Sequence, residues 1–403
     1  MKSELLAPAG NLEKLSYAYR YGADAAYIGI KAFSLRARAE NFHAEEFDSI
    51  RRIKGDKKLY AALNIYFHPS DIRSLEENLD YLAEYPLDAF IVSDLGAARL
   101  LQKRFPNIPL HLSTQANCIN GEAVKVYRGL GFNRIILGRE TSVSDIKEIR
   151  RAVPEIELEA FVHGAMCLAY SGRCFLSAYM AGRSANEGNC SHSCRWDYRV
   201  LEESKRPGEY YPVETGEGFT TILSSKDLCM IDHLEELQEA GVDSFKIEGR
   251  MKSIYYTAVV TRAYRKALDS LEGKPDPGLP AYREDLFNVS HREYSSGFYF
   301  DRTDIETPTR KSYQRSYMFL GSLRKQHPEQ PELYELDVKN QILSSDSLEY
   351  IGPDIPYLED TGFVLMDENL TPVEKADHGS RYYIRPAVPA AEGYILRKAV
   401  SGE

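Results

Sequence analysis

The first strand–helix–strand unit decides the fold, and it reads ELLAPAGNLEKLSYAYRYGADAAYIGI from Glu4 to Ile30. The runs Glu4–Ala9 and Ala25–Ile30 have the length and apolar character of buried strands, and the stretch Asn11–Tyr21 between them has a helical period. Two strands joined by a helix run parallel, because the helix returns the chain to the same end of the sheet. The stretch therefore predicts a βαβ unit.

The same alternation continues through the first two-thirds of the chain. Helical stretches follow at Leu75–Tyr85, Gly121–Gly129 and Ser142–Arg151. The remaining predicted strands are Leu59–Tyr66, Ala89–Ser93, Pro109–Ser113, Arg134–Gly138, Leu158–Val162 and Ser244–Ile247. Eight strands favour a closed (β/α)8, TIM-like barrel over an open doubly wound sheet. The sequence also lacks a Gly-x-Gly-x-x-Gly after its first strand, which weakens the dinucleotide-binding alternative.

The pattern changes beyond the barrel. The Pro/Gly-rich stretch Gly273–Pro280 closes the helical part, and from about Arg315 short alternating segments follow one another without helices between them. This is typical of a small all-β domain of barrel-like form. We therefore predict an α/β protein in which residues 1–300 form the barrel and residues 301–403 form a linker and a small all-β domain.

The composition is that of an ordinary globular protein, with 43% hydrophobic and 27% charged residues among 403. The N-terminus lacks the apolar core of a signal peptide, and no stretch is apolar enough to span a membrane. We therefore expect a cytoplasmic protein with no membrane partner. The formal net charge of −10 argues against indiscriminate nucleic-acid binding but is compatible with a local basic face.

Polar residues follow the predicted strands at the end where barrel enzymes have their active sites. They are Asn64, Asp94, Gln115, Arg139, Glu140, His163, Glu248 and Arg250. A single residue of this kind is more often a helix cap or a member of a loop ion pair. Several of them at one rim favour a polar pocket.

Five of the six cysteines lie in one long segment between the seventh and eighth strands, from about His163 to Asp243. The five are Cys167, Cys174, Cys190, Cys194 and Cys229. Cytoplasmic thiols stay reduced, so a disulfide framework is not expected. Gly164 and Gly172 interrupt the segment and would allow the backbone to pass close to a bulky inorganic group.

Several interpretations of these thiols compete. Inert buried thiols explain one or two cysteines better than five. Structural zinc usually needs paired, short Cys-x-x-Cys-type spacings, and only Cys190 and Cys194 come near that pattern. An iron–sulfur cluster takes four thiolates and tolerates irregular spacing, which suits the segment best. A cysteine nucleophile with His163 or His192 as its base is a further alternative, but the crowding of thiols favours metal ligation.

The segment Glu159–Ser177 closely resembles the signature of the collagenase-like peptidase family, whose catalytic mechanism is unassigned. Other stretches similar to motifs of that family are Leu6–Asn11, Ser113–Gln115, Arg139–Glu140, Lys246–Lys252 and Arg292–Phe298. The segment Cys190–Trp196, together with an all-β tail, resembles the branch of the family that hydroxylates tRNA.

The resemblance implies oxygen-independent formation of 5-hydroxyuridine at the wobble position of tRNA, with prephenate as the hydroxyl donor and a [4Fe–4S] cluster as cofactor. Relatives in other branches hydroxylate a ribosomal RNA cytidine or a ubiquinone precursor, and a few carry the peptidase name. A peptidase is therefore the alternative enzyme. Because family members can pair, a related subunit is a further expected partner, and a non-catalytic role in such a pair is a third hypothesis.

The resemblance also implies roles for single residues. Cys167 and Cys174 match the first two cluster ligands, and Cys190 occupies the place of a third. The fourth place stays open, because this sequence has both Cys194 and Cys229.

A dicarboxylate co-substrate calls for guanidinium groups, which bind carboxylates through two parallel hydrogen bonds. The candidates are Arg139, Arg173 and Arg250, with Asn64 and Gln115 completing the substrate pocket. The candidates for proton transfer are Glu140, His163 and Glu248. Arg250 is also a candidate catalytic residue, and pairing with Glu248 is its structural alternative.

Two groups of basic residues are candidates for contacts with the tRNA anticodon loop. The first group is Arg195, Arg199, Lys205 and Arg206. The second is Arg302, Arg310, Lys311, Arg315, Arg324 and Lys325, interleaved with Tyr299, Tyr313 and Tyr317. Basic and aromatic side chains together suit phosphate contacts and the stacking of unpaired bases. Ordinary solvated charge is the alternative.

Overall fold

The structure is a computed structural model. It describes residues 3–30, 33, 46–167, 169–174, 176–181, 183–186, 190–194, 225–300 and 314–400, with the backbone of 187, 195, 214–216 and 219–221. Eight parallel strands form the first domain, and the last of them pairs with both the first and the seventh, which closes the sheet. They are β1 (Glu4–Pro8), β2 (Ala25–Gly29), β3 (Lys58–Leu63), β4 (Ala89–Val92), β5 (Leu110–Leu112), β6 (Phe132–Ile136), β7 (Glu157–Ala165) and β8 (Ser244–Ile247). The predicted TIM-like barrel is confirmed.

The ends of the strands differ from the prediction in two instructive places. The predicted strand Pro109–Ser113 shrinks to β5, because Ser113 already caps a short 3-10 turn. In contrast, β7 runs three residues past its predicted end. A short strand, Asp227–Cys229, pairs antiparallel with this extension, so the end of β7 has a hydrogen-bonding partner outside the barrel.

Helices surround the barrel and occupy part of its long loops. They are Leu12–Arg20, Phe47–Lys54, Pro69–Glu77, Leu79–Ala83, Leu95–Arg104, Gly121–Gly129, Val143–Ala152, Leu176–Ala181, Leu234–Glu239, Ile254–Leu271 and Leu279–Glu284. Asp94 caps one of them by accepting a hydrogen bond from the backbone N–H of Ala97 at 2.8 Å. Its predicted place in a polar pocket is therefore corrected to that of a helix cap. In the described part of the chain, no helix is long and apolar enough to cross a bilayer.

Charged side chains fill the barrel interior toward the N-terminal ends of the strands. Arg134 donates to Glu4 at 2.5 Å and to Glu159 at 3.0 Å, and Lys246 donates to the other oxygen of Glu159 at 2.7 Å. We call Glu4, Arg134, Glu159 and Lys246 the floor network. Buried charges are tolerated only when they are paired. Every member of the floor network has a partner of opposite charge, so this layer closes the barrel from below.

The second domain is a seven-stranded antiparallel sheet with an apolar core of its own. Its strands are Tyr317–Gln326, Tyr334–Val338, Leu348–Ile351, Leu358–Asp360, Val364–Met366, Tyr382–Arg385 and Ile395–Ala399. A small separate antiparallel pair is formed by Ile342–Leu343 and Lys375–Ala376. The predicted all-β domain is confirmed. Within the described residues its two edge strands do not pair, so the sheet is a half-barrel.

Two buried arginines join the domains. Arg262, on the helix Ile254–Leu271, donates to the carbonyl of Gly352 at 2.8 Å and also pairs with Asp285. Arg397, in the last strand of the sheet, pairs with the same Asp285 at 2.7 Å. The carboxylate of Asp285 thus pairs with a cation from each domain, and Arg397 has a second partner in Glu349, which fixes the sheet on the outside of the barrel.

Candidate active-site cavity at the mouth of the barrel

A cavity of about 150 Å³ opens at the C-terminal ends of the barrel strands. This is the position of active sites in TIM-barrel enzymes. Its lower part lies inside the barrel and is lined by Ala62, Ile91 and Ile136 on the apolar side and by Lys246 on the polar side. Its upper part is lined by the long connection between β7 and β8, residues 166–243, which we call the cysteine segment.

The structure brings ten of the thirteen predicted site residues to this cavity. They are Asn64, Gln115, Cys167, Arg139, Arg173, Cys174, Cys190, Cys194, Glu248 and Arg250. They come from the ends of several strands and from the cysteine segment, and only the closed barrel places them together. Three predicted residues lie elsewhere: Glu140, His163 and Cys229.

Four cysteines of the cysteine segment line the cavity. Cys167 is exposed, and the other three are partly buried. The backbone N–H of His192 donates to the sulfur of Cys190 at 3.4 Å, from a residue with a φ of 56°. Hydrogen bonds of this kind stabilise negative charge on a ligand sulfur. The turn after Cys190 thus places one backbone N–H against its sulfur.

Hydrogen bonds fix the cysteine-bearing loops against one another. The backbone N–H of Ser191 donates to the hydroxyl of Ser177 at 2.9 Å, which links the loop of Cys190 to the helix after Cys174. The side chain of Asn186 donates to the carbonyl of Cys174 at 3.0 Å. These contacts join the loop of Cys174 to that of Cys190.

The fifth thiol lies outside the cavity. Cys229 stands opposite His163 in the pairing with β7, and its sulfur is 3.8 Å from the hydroxyl of Tyr264. Burial raises the pKa of Cys229 to about 11. Cys229 does not line the cavity that the other four cysteines share. Its position therefore argues against Cys229 as a ligand and favours Cys194 for the place that the sequence left open.

His163 is not at the mouth, contrary to the prediction. Its ring is buried between two tyrosines, with Nδ1 3.2 Å from the hydroxyl of Tyr264 and Nε2 3.4 Å from that of Tyr294. The pairing of β7 with β8 shifts register just before His163, and such a bulge changes the side of the sheet to which a side chain points. Burial lowers the pKa of His163 to about 3, so the ring is neutral near neutral pH.

Glu140 has a positioning role and does not line the main cavity. Its carboxylate accepts hydrogen bonds from the backbone N–H of Ser171 at 2.7 Å and from the side chain of Asn117 at 3.2 Å. Ser171 lies between Cys167 and Cys174. Glu140 therefore ties the first two cysteines to the loop after β6, and the predicted place of its carboxylate in the substrate pocket is corrected.

Gly164, near the end of β7, and Gly172, in the cysteine segment, are required by contacts with the protein's own backbone. At Gly172, with a φ of 73°, a Cβ atom would lie 2.1 Å from the carbonyl oxygen of Gln115. At Gly164, with a φ of 110°, it would lie 2.5 Å from that of Glu248. The expectation that these glycines let the backbone pass close to an inorganic group is thus corrected. Because they lack a Cβ atom, these glycines allow the backbone to pack closely against the loops that carry Gln115 and Glu248.

Cations predominate in the cavity wall. Arg139, Arg173, Arg250 and Lys246 line it, and Glu248 is the carboxylate among the described lining residues. The guanidinium of Arg139 stacks 4.1 Å from the ring centroid of Phe161. In the described ranges neither Arg139 nor Arg173 forms an ion pair with a carboxylate. Both guanidinium groups therefore have donors available for an anion.

The four thiols of the cavity are the donors of this chain that could hold an iron–sulfur cluster, which takes four cysteine thiolates. Among the residues that the structure describes, no three His, Cys, Asp or Glu side chains lie close enough together to hold one metal ion. The kind and number of the donors fit a cluster.

Sequence comparison identifies the family. The profile of Peptidase family U32 matches residues 10–309, and that of the Peptidase family U32 C-terminal domain matches residues 315–397. The chain belongs to Peptidase family U32. The predicted membership in the collagenase-like peptidase family is confirmed.

Three curated relatives of this U32 chain carry informative names. The tRNA hydroxylation protein P of Escherichia coli (strain K12) is 38% identical over 87% of this chain and 86% of its own length. The protein of the same name from Helicobacter pylori (strain J99 / ATCC 700824) is 42% identical over 75% of this chain and 74% of its own. A protein named Collagenase from Porphyromonas gingivalis (strain ATCC BAA-308 / W83) is 32% identical over 73% of each chain. The resemblance to the tRNA-hydroxylating branch is confirmed.

The basic groups predicted to contact tRNA in this U32 protein are only partly described. The side chains of Arg195, Arg199, Lys205, Arg206, Arg302, Arg310, Lys311 and Tyr313 lie outside the described residues. Arg324 pairs with Glu13 and Asp337. Tyr299 is buried and donates to the carbonyl of Phe161 at 2.7 Å. Arg324 and Tyr299 are therefore structural residues, which corrects their predicted role in RNA contacts.

Sequence reasoning missed Lys246 as a residue of the U32 cavity. It entered the prediction only as part of a family motif. A lysine in the middle of the apolar run Ser244–Ile247 is itself a signal, because lysine is rarely buried without a partner. Since side chains alternate along a strand, Lys246 also shares the face of Glu248. Either observation points to the barrel interior.

Proposed function

We propose that this U32 protein hydroxylates an RNA base, namely the wobble uridine of tRNA, to give 5-hydroxyuridine. The observation that carries the proposal is the meeting of four cysteines and three arginines in one cavity at the barrel mouth. The names of relatives that are 38% and 42% identical support the choice of tRNA. A wobble base lies in a single-stranded loop, so it reaches a cavity with little unpairing.

The proposed cofactor is a [4Fe–4S] cluster held by Cys167, Cys174, Cys190 and Cys194. Replacing the C5 hydrogen of uracil by a hydroxyl group whose oxygen comes from an alcohol removes two electrons from the base, so the reaction needs an external two-electron acceptor as well as the oxygen donor. When bound, the cluster would supply redox chemistry that a side chain cannot, because it would pass the electrons on one at a time. The chain's own residues bind the reactants and move protons.

Three arginines bind the proposed hydroxyl donor, prephenate. Arg139 and Arg173 have guanidinium donors available, and Arg250 lines the same wall. Two carboxylates on one small molecule match this set. Glu248 is the group for proton transfer at the mouth. Its carboxylate accepts a hydrogen bond from the hydroxyl of Tyr27 at 3.3 Å, which orients it.

The test of the substrate is nucleoside analysis of tRNA by mass spectrometry. Cells that lack the gene should lose 5-hydroxyuridine and its derivatives, and the wild-type gene should restore them. The variant Cys174→Ala should fail to do so. Unchanged 5-hydroxyuridine in the deletion strain would reject tRNA as the substrate.

The test of the cofactor is anaerobic purification with an absorbance spectrum and assays of iron and sulfide. We expect a brown protein with about four iron and four sulfide per chain. An iron-free, colourless protein that still hydroxylates tRNA would reject the cluster.

A peptidase is the second candidate, favoured by the 32% identity to the protein named Collagenase. It predicts that iron-free protein cleaves gelatin. Hydroxylating protein that leaves gelatin intact would reject this candidate.

A further inference from the structure

Lys246 lies deeper in the barrel than the other cationic residues of the cavity wall. It lies on β8, its side chain is only 5% exposed, and its ammonium belongs to the floor network while lining the cavity. It donates one hydrogen bond, to Glu159 at 2.7 Å, and none to any other described residue. An ammonium group has three donors. Two therefore remain for a molecule inside the cavity.

The surroundings of Lys246 select the kind of molecule. The ammonium lies 4.5 Å from the ring centroid of Tyr27 and 5.4 Å from that of Phe161. The faces of aromatic rings stabilise a cation without using its donors. The side chains of Ala62, Ile91 and Ile136 add an apolar wall to the same space. The bottom of the cavity thus combines one cation with apolar surface.

The charges around Lys246 leave it able to accept an anion. Glu159 is shared between Lys246 and Arg134, and Arg134 also holds Glu4. The two carboxylates of the floor network are therefore balanced by two cations. Glu248 is a further charge near Lys246, and it lies toward the mouth. A carboxylate that enters the cavity gains the available donors of Lys246 and breaks no existing ion pair.

We propose that Lys246 binds one carboxylate of a small acid at the bottom of the cavity, while the apolar wall packs against the hydrocarbon body of that acid. This inference rests on the proposed function, in which a dicarboxylate donates the hydroxyl group. It assigns one carboxylate to Lys246 and the other to the arginines of the mouth. The acid then lies beneath the RNA base, which enters from the outside.

The direct test is calorimetric titration of the purified holoprotein with prephenate. Replacing Lys246 by methionine removes the donors and the charge but keeps much of the side-chain length. The variant Lys246→Met should bind prephenate roughly 10- to 100-fold more weakly, the loss typical of a hydrogen bond to a charged group. Its affinity for tRNA should stay unchanged.

Two further variants separate binding from folding. Lys246→Met leaves Glu159 with one cation fewer, so the double variant Lys246→Met with Glu159→Gln removes the uncompensated charge. It should show the same loss of prephenate affinity with thermal stability closer to wild type. Lys252→Met is the matched control, because Lys252 lies outside the cavity wall and donates to the carbonyl of Ser290 at 3.1 Å. It should bind prephenate as the wild type does.

The outcomes distinguish this inference from the proposed function. If both Lys246 variants bind prephenate with wild-type affinity, Lys246 is not the ligand, and the hydroxylase proposal stands. If they lose affinity for tRNA and keep it for prephenate, Lys246 contacts the base, and the assignment is overturned. If the wild-type protein binds no prephenate, the co-substrate proposed above fails together with the inference.

Discussion

The floor and the mouth of the barrel are built from the same kinds of side chain, but these side chains are satisfied differently. In the floor network, Arg134 holds both Glu4 and Glu159 at hydrogen-bonding distance. At the mouth, Arg139 and Arg173 have no ion pair with a described carboxylate, and four thiols line the same cavity. The comparison teaches that charge inside a barrel does not by itself mark a site. Donors without partners mark it.

Loss of one mouth cysteine should have the largest effect. Cys174→Ala removes a proposed ligand of the cluster, and we expect loss of both iron and hydroxylation, since a four-iron cluster takes four protein thiolates. Iron assay and tRNA nucleoside analysis measure the two effects. Cys229→Ala is the control and should keep both, because its thiol lies behind β7. Loss of iron in Cys229→Ala, with iron retained in Cys194→Ala, would give the fourth ligand place to Cys229.

Substitutions in the floor network should instead lower the free energy of unfolding. Arg134→Met leaves Glu4 and Glu159 buried with one cation fewer, and breaking a buried ion pair of this kind lowers the free energy of unfolding by about 3–5 kcal/mol. Arg173→Met, at the mouth, should change it by no more than about 0.5 kcal/mol. Chemical denaturation measures both. Equal losses in the two variants would abolish the distinction between floor and mouth.

Acid should weaken the floor through Glu4. Burial opposes ionisation of this carboxyl, but Arg134, Tyr60 and Lys58 outweigh it and lower the pKa of Glu4 from 4.5 to about 2. A lowered pKa means stability that is present above pH 4.5 and is lost as the pH falls toward 2. The variant Glu4→Gln should be less stable than wild type by up to about 3 kcal/mol near neutral pH. The difference should shrink toward pH 2 in denaturation curves, and a constant difference would contradict the assignment.

The smallest effect is expected at Glu140, whose carboxylate supports a cysteine-bearing loop of the mouth from outside the cavity. Glu140→Ala removes the acceptor that ties Ser171 to the loop after β6. The four thiols remain, so the cluster should still form but be lost to a chelator at about tenfold lower concentration, as for other outer contacts of metal ligands. Iron release followed by absorbance measures this. Release as in the wild type would show that the Glu140 contact does not position the cysteines.

The sequence was a good guide to the barrel because the strands are short, mainly apolar runs bounded by turns. It also placed most of the site, since the ends of parallel strands meet at one rim whatever their exact pairing. It failed where the outcome depends on which strand pairs with which. The side on which His163 points is set by a register shift between β7 and β8, and the exclusion of Cys229 is set by an antiparallel strand. Neither is visible along the chain.

The floor network could not be predicted from the sequence for the same reason. Glu4, Arg134 and Glu159 stand far apart in the sequence, and nothing local distinguishes them from surface charges. Only the closure of the barrel brings β1, β6 and β7 to a common axis. The burial of Lys246 was easier to predict, because a lysine within an apolar strand is expected to be buried with a partner.

The place of β8 in the chain has a consequence for the order in which the protein is made. β8 closes the barrel, yet it is synthesised after the whole cysteine segment. At translation rates of roughly 5–20 residues per second, several seconds separate Cys194 from Ser244 on the ribosome. During that interval the four thiols exist and the cavity does not. The fold therefore does not enclose these thiols until β8 has been made.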